Sequence, residues 1–403
     1  MSNYPTTVSN TELTISMITR ESLMVLKNNL KFTAGVNREY SDKFAIEGAK
    51  IGTTLNVRKP PRYAGRTGAT LSVENSVDTS VPLVLTTQFG VDIAFSSADL
   101  QLSIDEFSNR YIKPAVAVVA NKIDYDGLQL YKQVANQVGT PGTIPSALLP
   151  FLTGGVKITN GGAPVDGDRA CIVNPLTEAT IVNAYTGLFN PTDAISKQYE
   201  SGNMGRAIGF NWSMDQNVAV HTCGTAAATT TVATTSVDGA TTLVFTAAAA
   251  GAYKAGDTFT VASVFSVNPQ SRQSTGILQD FLVTADNTTT TVAIYPTIIS
   301  TGQLQTVNSL PQSGATITPT NIVSGRQTPQ GLIFHKDAFT LATADLPLPG
   351  GVDMAARVSD EQTGISIRMV RAYDIVTDLF PCRLDVLYGW KCIYPELACR
   401  VYG

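Results

Sequence analysis

Apolar side chains first recur at helical spacing near the start of the chain, over residues 11–31. Spacings of three and four residues place such side chains on one face of a helix. The apolar positions are Ile18, Leu23, Val25, Leu26 and Leu30. The pattern predicts an amphipathic N-terminal helix preceded by a polar segment.

Short alternating segments and turn residues then predict a long β-hairpin. Pro60, Pro61, Gly65 and Gly68 interrupt the strand-like pattern, and such residues commonly mark turns. The strand-like segments are residues 53–57, 70–73, 81–86 and 91–95.

The longest helical pattern runs from Ser103 to about Gln137. Ser103 suits an N-cap, and Asp105 and Glu106 suit the positive end of the helix dipole. Pro114 either kinks this helix or marks its true start, because proline lacks a backbone donor. Two apolar faces predict packing on both sides. One face carries Phe107, Tyr111, Val118, Tyr125 and Leu128, and the other carries Ile112, Val116, Val119, Ile123, Leu130 and Val134.

A mixed α+β region follows this helix. The glycine- and proline-rich residues 139–164 predict a loop, and residues 170–173 predict a buried strand. Asn174 and Pro175 then suit the N-cap and first turn of a helix. That helix would carry Ile181, Tyr185 and Leu188.

The composition changes abruptly near Thr222. Residues 222–325 hold 24 threonines and only six charged side chains. Apolar and polar residues alternate over 258–267, and threonine favours strands, so this block predicts a self-contained all-β domain, a small barrel. A threonine-rich disordered linker is the alternative, and the alternation disfavours it.

Mixed character returns after Arg326, which makes the β block an insertion within a flanking domain. Residues 365–369 alternate as a strand, and the final strand alternates most clearly. Its apolar face carries Leu384, Val386, Tyr388, Trp390 and Cys392, and its polar face carries Arg383, Asp385 and Lys391.

Composition narrows the function classes. A chain of 403 residues holds two or three domains by length. Its 28 Lys and Arg against 32 Asp and Glu give no basic excess for reading nucleic acid. Only 15% of residues are charged, against roughly 25% in typical soluble proteins. Much of the surface is therefore expected to be covered by something other than water.

The sequence shows no signal peptide, no apolar run of membrane-spanning length and no cysteine pattern typical of disulfides. The N-terminus lacks the basic and apolar regions of a signal peptide, and no apolar run approaches membrane-spanning length. We expect a soluble, unexported product without membrane contact. Five cysteines form no CxxC pair, so reduced thiols are expected. His221 and Cys223 lack a second ligand pair at zinc spacing, which favours structural roles over a metal site.

No motif predicts an active site or a cofactor. The two histidines, His221 and His335, are the only bases for a catalytic triad, and neither has a recognisable partner set. The phosphate-binding glycine motifs are also missing. The sequence therefore predicts a protein that is not an enzyme and holds no cofactor or metal.

The predicted hairpin carries a local basic excess. Between Glu47 and Glu74 there are five bases and no acid. We interpret Arg58, Lys59, Arg62 and Arg66 as a contact surface for carboxylates on another subunit. A solvated loop is the main alternative, and a nucleic-acid patch is disfavoured because only Tyr63 could stack on a base.

The order of elements resembles that of tailed-bacteriophage major capsid proteins with the Hong Kong ninety-seven fold. Within them it resembles the P-twenty-two-like coat protein family, whose members carry an extra inserted β domain. Four stretches that together span most of the chain carry the likeness. They are Gly52–Pro60, Phe89–Phe95 with Asp99 and Leu100, Lys254–Val261, and Arg383–Trp390.

The resemblance implies a division of the chain into capsid domains. The expected parts are an N-arm at 1–46, an E-loop hairpin at 47–100, a spine helix and peripheral domain at 101–137, a first A-domain part at 138–217, the inserted β domain at 218–325, a second A-domain part at 326–373, and peripheral closing strands at 374–403.

The resemblance also implies a function and partners. Copies of the chain would assemble into an icosahedral shell of hexamers and pentamers around double-stranded DNA, in the virion. Assembly would occur in the host cytoplasm with a scaffolding protein and a portal protein. A β-rich phage tail or surface adhesin subunit is the alternative, although no fixed-period repeat supports it outside the threonine-rich block.

Overall fold

The computed structural model describes residues 15–39, 52–63, 65–71, 73–96, 108–184, 205–226, 230–320, 325–359, 365–377 and 379–403. The predictions for Ser103, Asp105, Glu106, Phe107, Tyr185 and Leu188 lie outside the described residues. In the described part, the α-helices are α1 (Ile15–Asn29), α2 (Lys113–Leu128), α3 (Leu149–Asn160) and α4 (Pro175–Ala184). A π-helical turn at Ser108–Ile112 precedes α2, and 3₁₀ turns lie at Thr33–Gly35, Gln129–Gln133, Lys336–Ala338 and Pro395–Leu397.

The strands outnumber the helices in this part of the chain. They are β1 (Thr54–Lys59), β2 (Thr79–Val84), β3 (Thr87–Ser96), β4 (Gln137–Val138), β5 (Arg169–Val173), β6 (Arg206–Ala207), β7 (Phe210–Met214), β8 (Val220–Thr222), β9 (Thr230–Thr231), β10 (Ala240–Val244), β11 (Thr258–Val267), β12 (Ser274–Val283), β13 (Thr291–Ile298), β14 (Thr316–Pro319), β15 (Gln327–His335), β16 (Phe339–Ala344), β17 (Met354–Ser359), β18 (Ser366–Arg371), β19 (Leu379–Cys392) and β20 (Ala398–Tyr402).

The long strand β19 organises a five-stranded sheet. It pairs antiparallel with β3, β16 and β18, and β17 continues the sheet from β18. The predicted apolar face of β19 is confirmed, because its residues pack in the main core against α1 and α2. Core side chains from the two helices include Ile18, Leu26, Val116, Val119 and Ile123.

A seven-stranded mixed sheet lies between two apolar layers, in the order β4-β20-β15-β5-β7-β6 with β8 beside β15. Alternate residues point to opposite faces of a strand. Cys171 and Ile333 therefore face α3 and α4, whereas Ile172 and Phe334 face the main core. The Asn174 side chain accepts from the Thr177 amide at 2.8 Å, which confirms the predicted N-cap of α4.

A six-stranded antiparallel sheet is built only from the threonine-rich block, in the order β10-β13-β12-β11-β14-β9. An isolated antiparallel β-bridge links Val232, which follows β9, to Phe245, which follows β10. It connects the two outer strands of this sheet. This sheet has its own apolar core, made of residues between Val232 and Ile317. The identity of the block as an inserted domain stays a prediction.

The structure corrects the predicted loop at 139–164, because residues 149–160 form α3. Phe151 and Ile158 are fully buried on the seven-stranded sheet. Gly154 and Gly155 face the sheet too, and a Cβ at these positions would lie 2.8 Å from Ile333 Cδ1 and 3.0 Å from Phe210 Cζ. The glycines that suggested a loop allow close helix–sheet packing, which outweighs their weak helix propensity.

The structure also refines the predictions for the long helix and the hairpin. α2 begins at Lys113 directly after the π-helical turn, so Pro114 lies where that turn passes into the α-helix. On the apolar face predicted to carry Val118, Tyr125 and Leu128, Leu128 is buried, whereas Val118 is 50% and Tyr125 46% exposed in the single chain. The strand predicted at 70–73 is not present in residues 70, 71 and 73, the part of that segment that the structure describes. No helix in the described part is both long and apolar enough to cross a membrane.

The predicted closing segment 374–403 contributes to two sheets. β19 belongs to the five-stranded sheet, whereas β20 pairs with β15 and β4 in the seven-stranded sheet. The predicted boundary at 374 therefore does not coincide with a boundary between sheets.

Candidate intersubunit surface at the basic hairpin

The basic hairpin has a well-packed root and an exposed tip. β1 and β2 pair in register from Thr54 with Val84 to Lys59 with Thr79. At the root, Val57 and Leu83 join an apolar cluster with Leu387 of β19. Residues 60–78, here called the hairpin tip, contain no strand in their described part.

The four predicted contact residues divide into two pairs. Lys59 and Arg62 face their own chain: Lys59 Nζ lies 4.8 Å from the ring centroid of Tyr394, and Arg62 Nη2 lies 2.8 Å from Glu396 Oε1. Arg58 and Arg66 are exposed, and Arg66 donates to the carbonyl of Gly68 in the tip. The structure thus places two of the four bases against residues 394–396 of their own subunit and leaves the other two exposed.

The threonine-rich block holds the tip from the other side. Arg272 donates from Nη2 to the carbonyl of Tyr63. Gln303 Nε2 donates to the carbonyl of Asn75 at 2.9 Å and to Glu74 at 3.3 Å. Sequence reasoning missed Arg272, Gln303 and Glu396. No local signal could have found them, because more than 200 residues separate each from its partner in the hairpin.

The tip itself exposes apolar side chains. Leu71 is 77% and Val73 79% exposed, and Tyr63 and Val77 are also open to solvent. With Arg58 and Arg66 nearby, the tip presents a mixed apolar and cationic surface. Such a surface suits contact with another protein.

His221 lies in a hydrogen-bonded chain of buried side chains. Its Nδ1 lies 3.0 Å from the Tyr131 hydroxyl, and its Nε2 lies 2.8 Å from Asp257 Oδ1. Asp257 Oδ2 accepts from the amides of Gly224 and Lys254. Cys223 completes a group that could hold a metal by proximity, but these hydrogen bonds already use the nitrogen and oxygen atoms. The arrangement therefore fits a structural role.

His335 caps a turn. Its Nδ1 accepts from the Asp337 amide at 3.3 Å, and its Nε2 lies 3.0 Å from Asp166 Oδ2. Hydrogen bonds from the Asp168 amide and then from His335 lower the pKa of Asp166 to about 2. Both ring nitrogens of this histidine take part in hydrogen bonds, an arrangement that fits a structural role.

Comparison with known proteins gives one family. A family model described as the P22 coat protein, gene protein 5, matches residues 49–402. No curated protein sequence matches the chain.

Solved structures show weaker similarities. One of Mycobacterium phage Che8 is 12% identical, with a TM-score of 0.45, and the match covers 92% of this chain and 90% of that one. The capsid structure of the cyanophage P-SCSP1u is 9% identical with a TM-score of 0.41, covering 88% and 84%. The CUS-3 coat protein I-domain is 25% identical with a TM-score of 0.20, covering 25% and 100%.

Proposed function

Because the chain belongs to the P22 coat protein family, we propose that its copies form an icosahedral shell of hexamers and pentamers around a double-stranded DNA genome. Membership makes the chain a major capsid protein, a structural component of the virion whose copies assemble into a shell. Membership in this family also implies a non-enzymatic role. The family match favours this function over a tail or adhesin subunit.

The hairpin is the observation that carries the proposal of a contact between neighbouring copies. Its own subunit fixes the tip through Arg62, Arg272 and Gln303, so the tip has a set direction before any partner binds. Leu71 and Val73 remain exposed at its end. An ordered projection with exposed apolar groups fits a surface on a second copy, and Arg58 and Arg66 would pair with carboxylates there.

The domain division follows from the same proposal. The E-loop would correspond to the hairpin within 47–100, and the spine helix within 101–137 would contain α2. The inserted domain at 218–325 is supported by a six-stranded sheet whose apolar core uses only residues of that stretch. The N-arm and the divided A-domain complete this assignment.

The partners are proposed from the same assembly. A scaffolding protein would guide shell formation in the host cytoplasm, and a portal protein would occupy one vertex. The packaged DNA would lie beside the shell without binding it tightly, since the chain has a formal net charge of −4 and sequence-independent binding needs clustered cations.

Electron microscopy of the chain expressed with a scaffolding protein tests the proposed shell. Closed icosahedral particles with hexamers and pentamers are the expected result. Small oligomers or open fibres under the same conditions would contradict it.

The hairpin contact has a separate test. We expect Arg58→Glu with Arg66→Glu to lower the temperature at which shells dissociate, because both changes place acids against carboxylates of the neighbour. The subunit should stay folded, since both side chains are exposed. Heat dissociation of shells, followed by light scattering, measures the effect.

A second double variant makes the same change of charge at two positions outside the hairpin and serves as the control. Arg20 and Lys113 are exposed and lie outside the hairpin, so Arg20→Glu with Lys113→Glu should leave the dissociation temperature closer to that of the unchanged shell. Equal behaviour of the two double variants would count against the hairpin contact.

A further inference from the structure

Helix α3 has an apolar face on each side. Phe151 and Ile158 lie on the sheet, whereas Leu149, Leu152 and Val156 point away from it and are 70%, 45% and 50% exposed. Spacings of three and four residues place these three side chains side by side along the helix. They are called the outer stripe below.

The segment of the chain that contains the outer stripe carries almost no charge. Between Gly139 and Val165, Lys157 is the sole charged residue of the sequence. Its Nζ is directed into the subunit, where it pairs with Asp280 and donates to the carbonyl of Gln137 at 2.7 Å. The outer stripe therefore has no charge of its own chain beside it on α3.

Two threonine hydroxyls on α3 already have acceptors within the helix. Thr153 and Thr159 each donate from their hydroxyl to a carbonyl of their own helix at 2.8 Å. If a partner covered these threonines, each hydroxyl hydrogen would keep its acceptor. This avoids the main cost of burying polar groups at an interface, so the face suits a dry contact.

The helix is also held rigidly before any partner arrives. Gly154 and Gly155 let α3 approach the sheet closely. A Cβ at position 154 would fit only if the Ile333 side chain moved. Contacts that are ordered in advance lose less conformational entropy on binding. The outer stripe is therefore presented in a fixed shape.

We propose that the outer stripe of α3 is a contact surface for a neighbouring copy of this chain in the shell. The inference rests on the proposed function and names a second surface that it uses. A second copy is the occupant because members of this family assemble with themselves, and permanent contacts between copies are where apolar, charge-poor surface is concentrated. A small-molecule ligand would instead need polar groups to orient it.

The symmetry of the shell determines what the stripe meets. Rings of five or six copies are built from contacts in which two different surfaces meet. Within a ring, the outer stripe would therefore contact a different surface on the next copy, whereas at a two-fold axis between rings it would meet the same helix of a neighbouring copy.

Thiol labelling of Leu152→Cys tests the contact without disturbing the fold. All five native cysteines are buried, so a cysteine at position 152 becomes the accessible thiol. We expect a maleimide to label it readily in dissociated subunits and about tenfold more slowly in assembled shells, which corresponds to protection by about 1.4 kcal/mol. Equal rates in both states would overturn the proposal, as would slow labelling in the dissociated subunit.

A second pair of variants tests the energetic role of the outer stripe. Leu152→Asp with Val156→Asp should reduce the yield of shells about tenfold or more, whereas Leu152→Met with Val156→Ile should preserve it. Circular dichroism of the dissociated subunits should show the same fold for both. Normal assembly of the aspartate variant would contradict the proposal while leaving the proposed shell function intact. Failure of the unchanged chain to form shells would instead refute that function.

Discussion

Asp385 lies fully buried in the middle of β19 and accepts hydrogen bonds from two arginines. Arg368 Nη2 lies 2.5 Å from its Oδ2, and Arg383 Nε lies 2.8 Å from its Oδ1. The hydrogen bond to Asp385 raises the pKa of Arg383. A carboxylate held away from water depends on such partners, so this cluster fixes the junction of β18 and β19.

The cluster leads to a stability prediction. Asp385→Ala should lower the free energy of unfolding by about 3–5 kcal/mol, because the Arg368 guanidinium loses its buried partner. Urea denaturation of dissociated subunits measures this change. Asp353 pairs with Arg371 and is 38% exposed, so Asp353→Ala should cost less than about 1 kcal/mol. Similar losses for both variants would contradict the argument.

The sequence placed this aspartate correctly along the strand and said nothing of its burial. Alternation assigns Arg383 and Asp385 to the face opposite Leu384. In the structure that face is buried around Asp385, where other parts of the chain pack against it. Burial on both faces of a strand depends on which segments fold over it, and a periodic pattern in one strand carries no such information.

At the scale of elements, the hairpin attaches to β19 through a glycine. Gly389 lies where the end of β2 crosses the strand, and a Cβ at this position would overlap the carbonyl of Val84. The contact is between backbones, so no side-chain movement can relieve it. Glycine at this position therefore allows the hairpin root to approach the sheet.

Gly389→Ala should lower the free energy of unfolding by about 1–3 kcal/mol, because the added methyl forces β2 away from β19. It should also make the hairpin more sensitive to limited proteolysis. Gly350 provides the control, since a Cβ there meets nothing within 4 Å. A Gly350→Ala variant is expected to match the unchanged chain, and equal protease sensitivity of both variants would count against the role of Gly389.

Among the elements, α2, α4 and β19 were predicted from local pattern, and α3 was not. Caps and proline mark the start of α4, and both act within one turn. α3 contains two adjacent glycines and depends on burial of Phe151 and Ile158 against a sheet assembled from distant strands. Local propensity disfavours such a helix, and only the completed sheet supplies the stabilisation.

At the scale of the whole molecule, a polar junction joins the six-stranded sheet to the seven-stranded one. Asp280 of β12 pairs with Lys157 of α3 and accepts from the Gln137 amide at 3.3 Å. Arg400 of β20 donates to the carbonyl of Gly256 at 2.8 Å. Burial raises the pKa of Asp280, and Lys157 partly offsets this effect.

Removing Lys157 should make stability depend more strongly on pH. In Lys157→Ala the folded-state pKa of Asp280 rises further above its unfolded value. The variant should therefore nearly match the unchanged chain near pH 4 and lose stability as the pH rises through the folded pKa. A loss of about 3 kcal/mol is expected at about pH 7, where the carboxylate is buried without its partner.

Urea denaturation at both pH values measures this dependence. Lys122→Ala is the matched control, because Lys122 pairs with Asp126 on the surface and is 37% exposed. It should cost less than about 1 kcal/mol at either pH. A Lys157→Ala deficit that is constant across pH would rule out Asp280 as its cause.

The sequence by itself determined the features that depend on neighbours along the chain. These are the α+β class, the boundaries of the threonine-rich block, the apolar face of β19, the basic character of the hairpin and, through four motifs, the coat protein resemblance. Periodicity, capping and composition act over a few residues, so they can be read without knowing the fold.

Only the tertiary structure decided how distant segments share their surfaces. It directed Lys59 and Arg62 to residues 394–396 and left Arg58 and Arg66 in solvent. It also formed α3 on a sheet of distant strands and left its outer stripe uncovered. The physical reason is common to both cases: burial and ion pairing depend on which segments meet in space, and their partners lie up to hundreds of residues away.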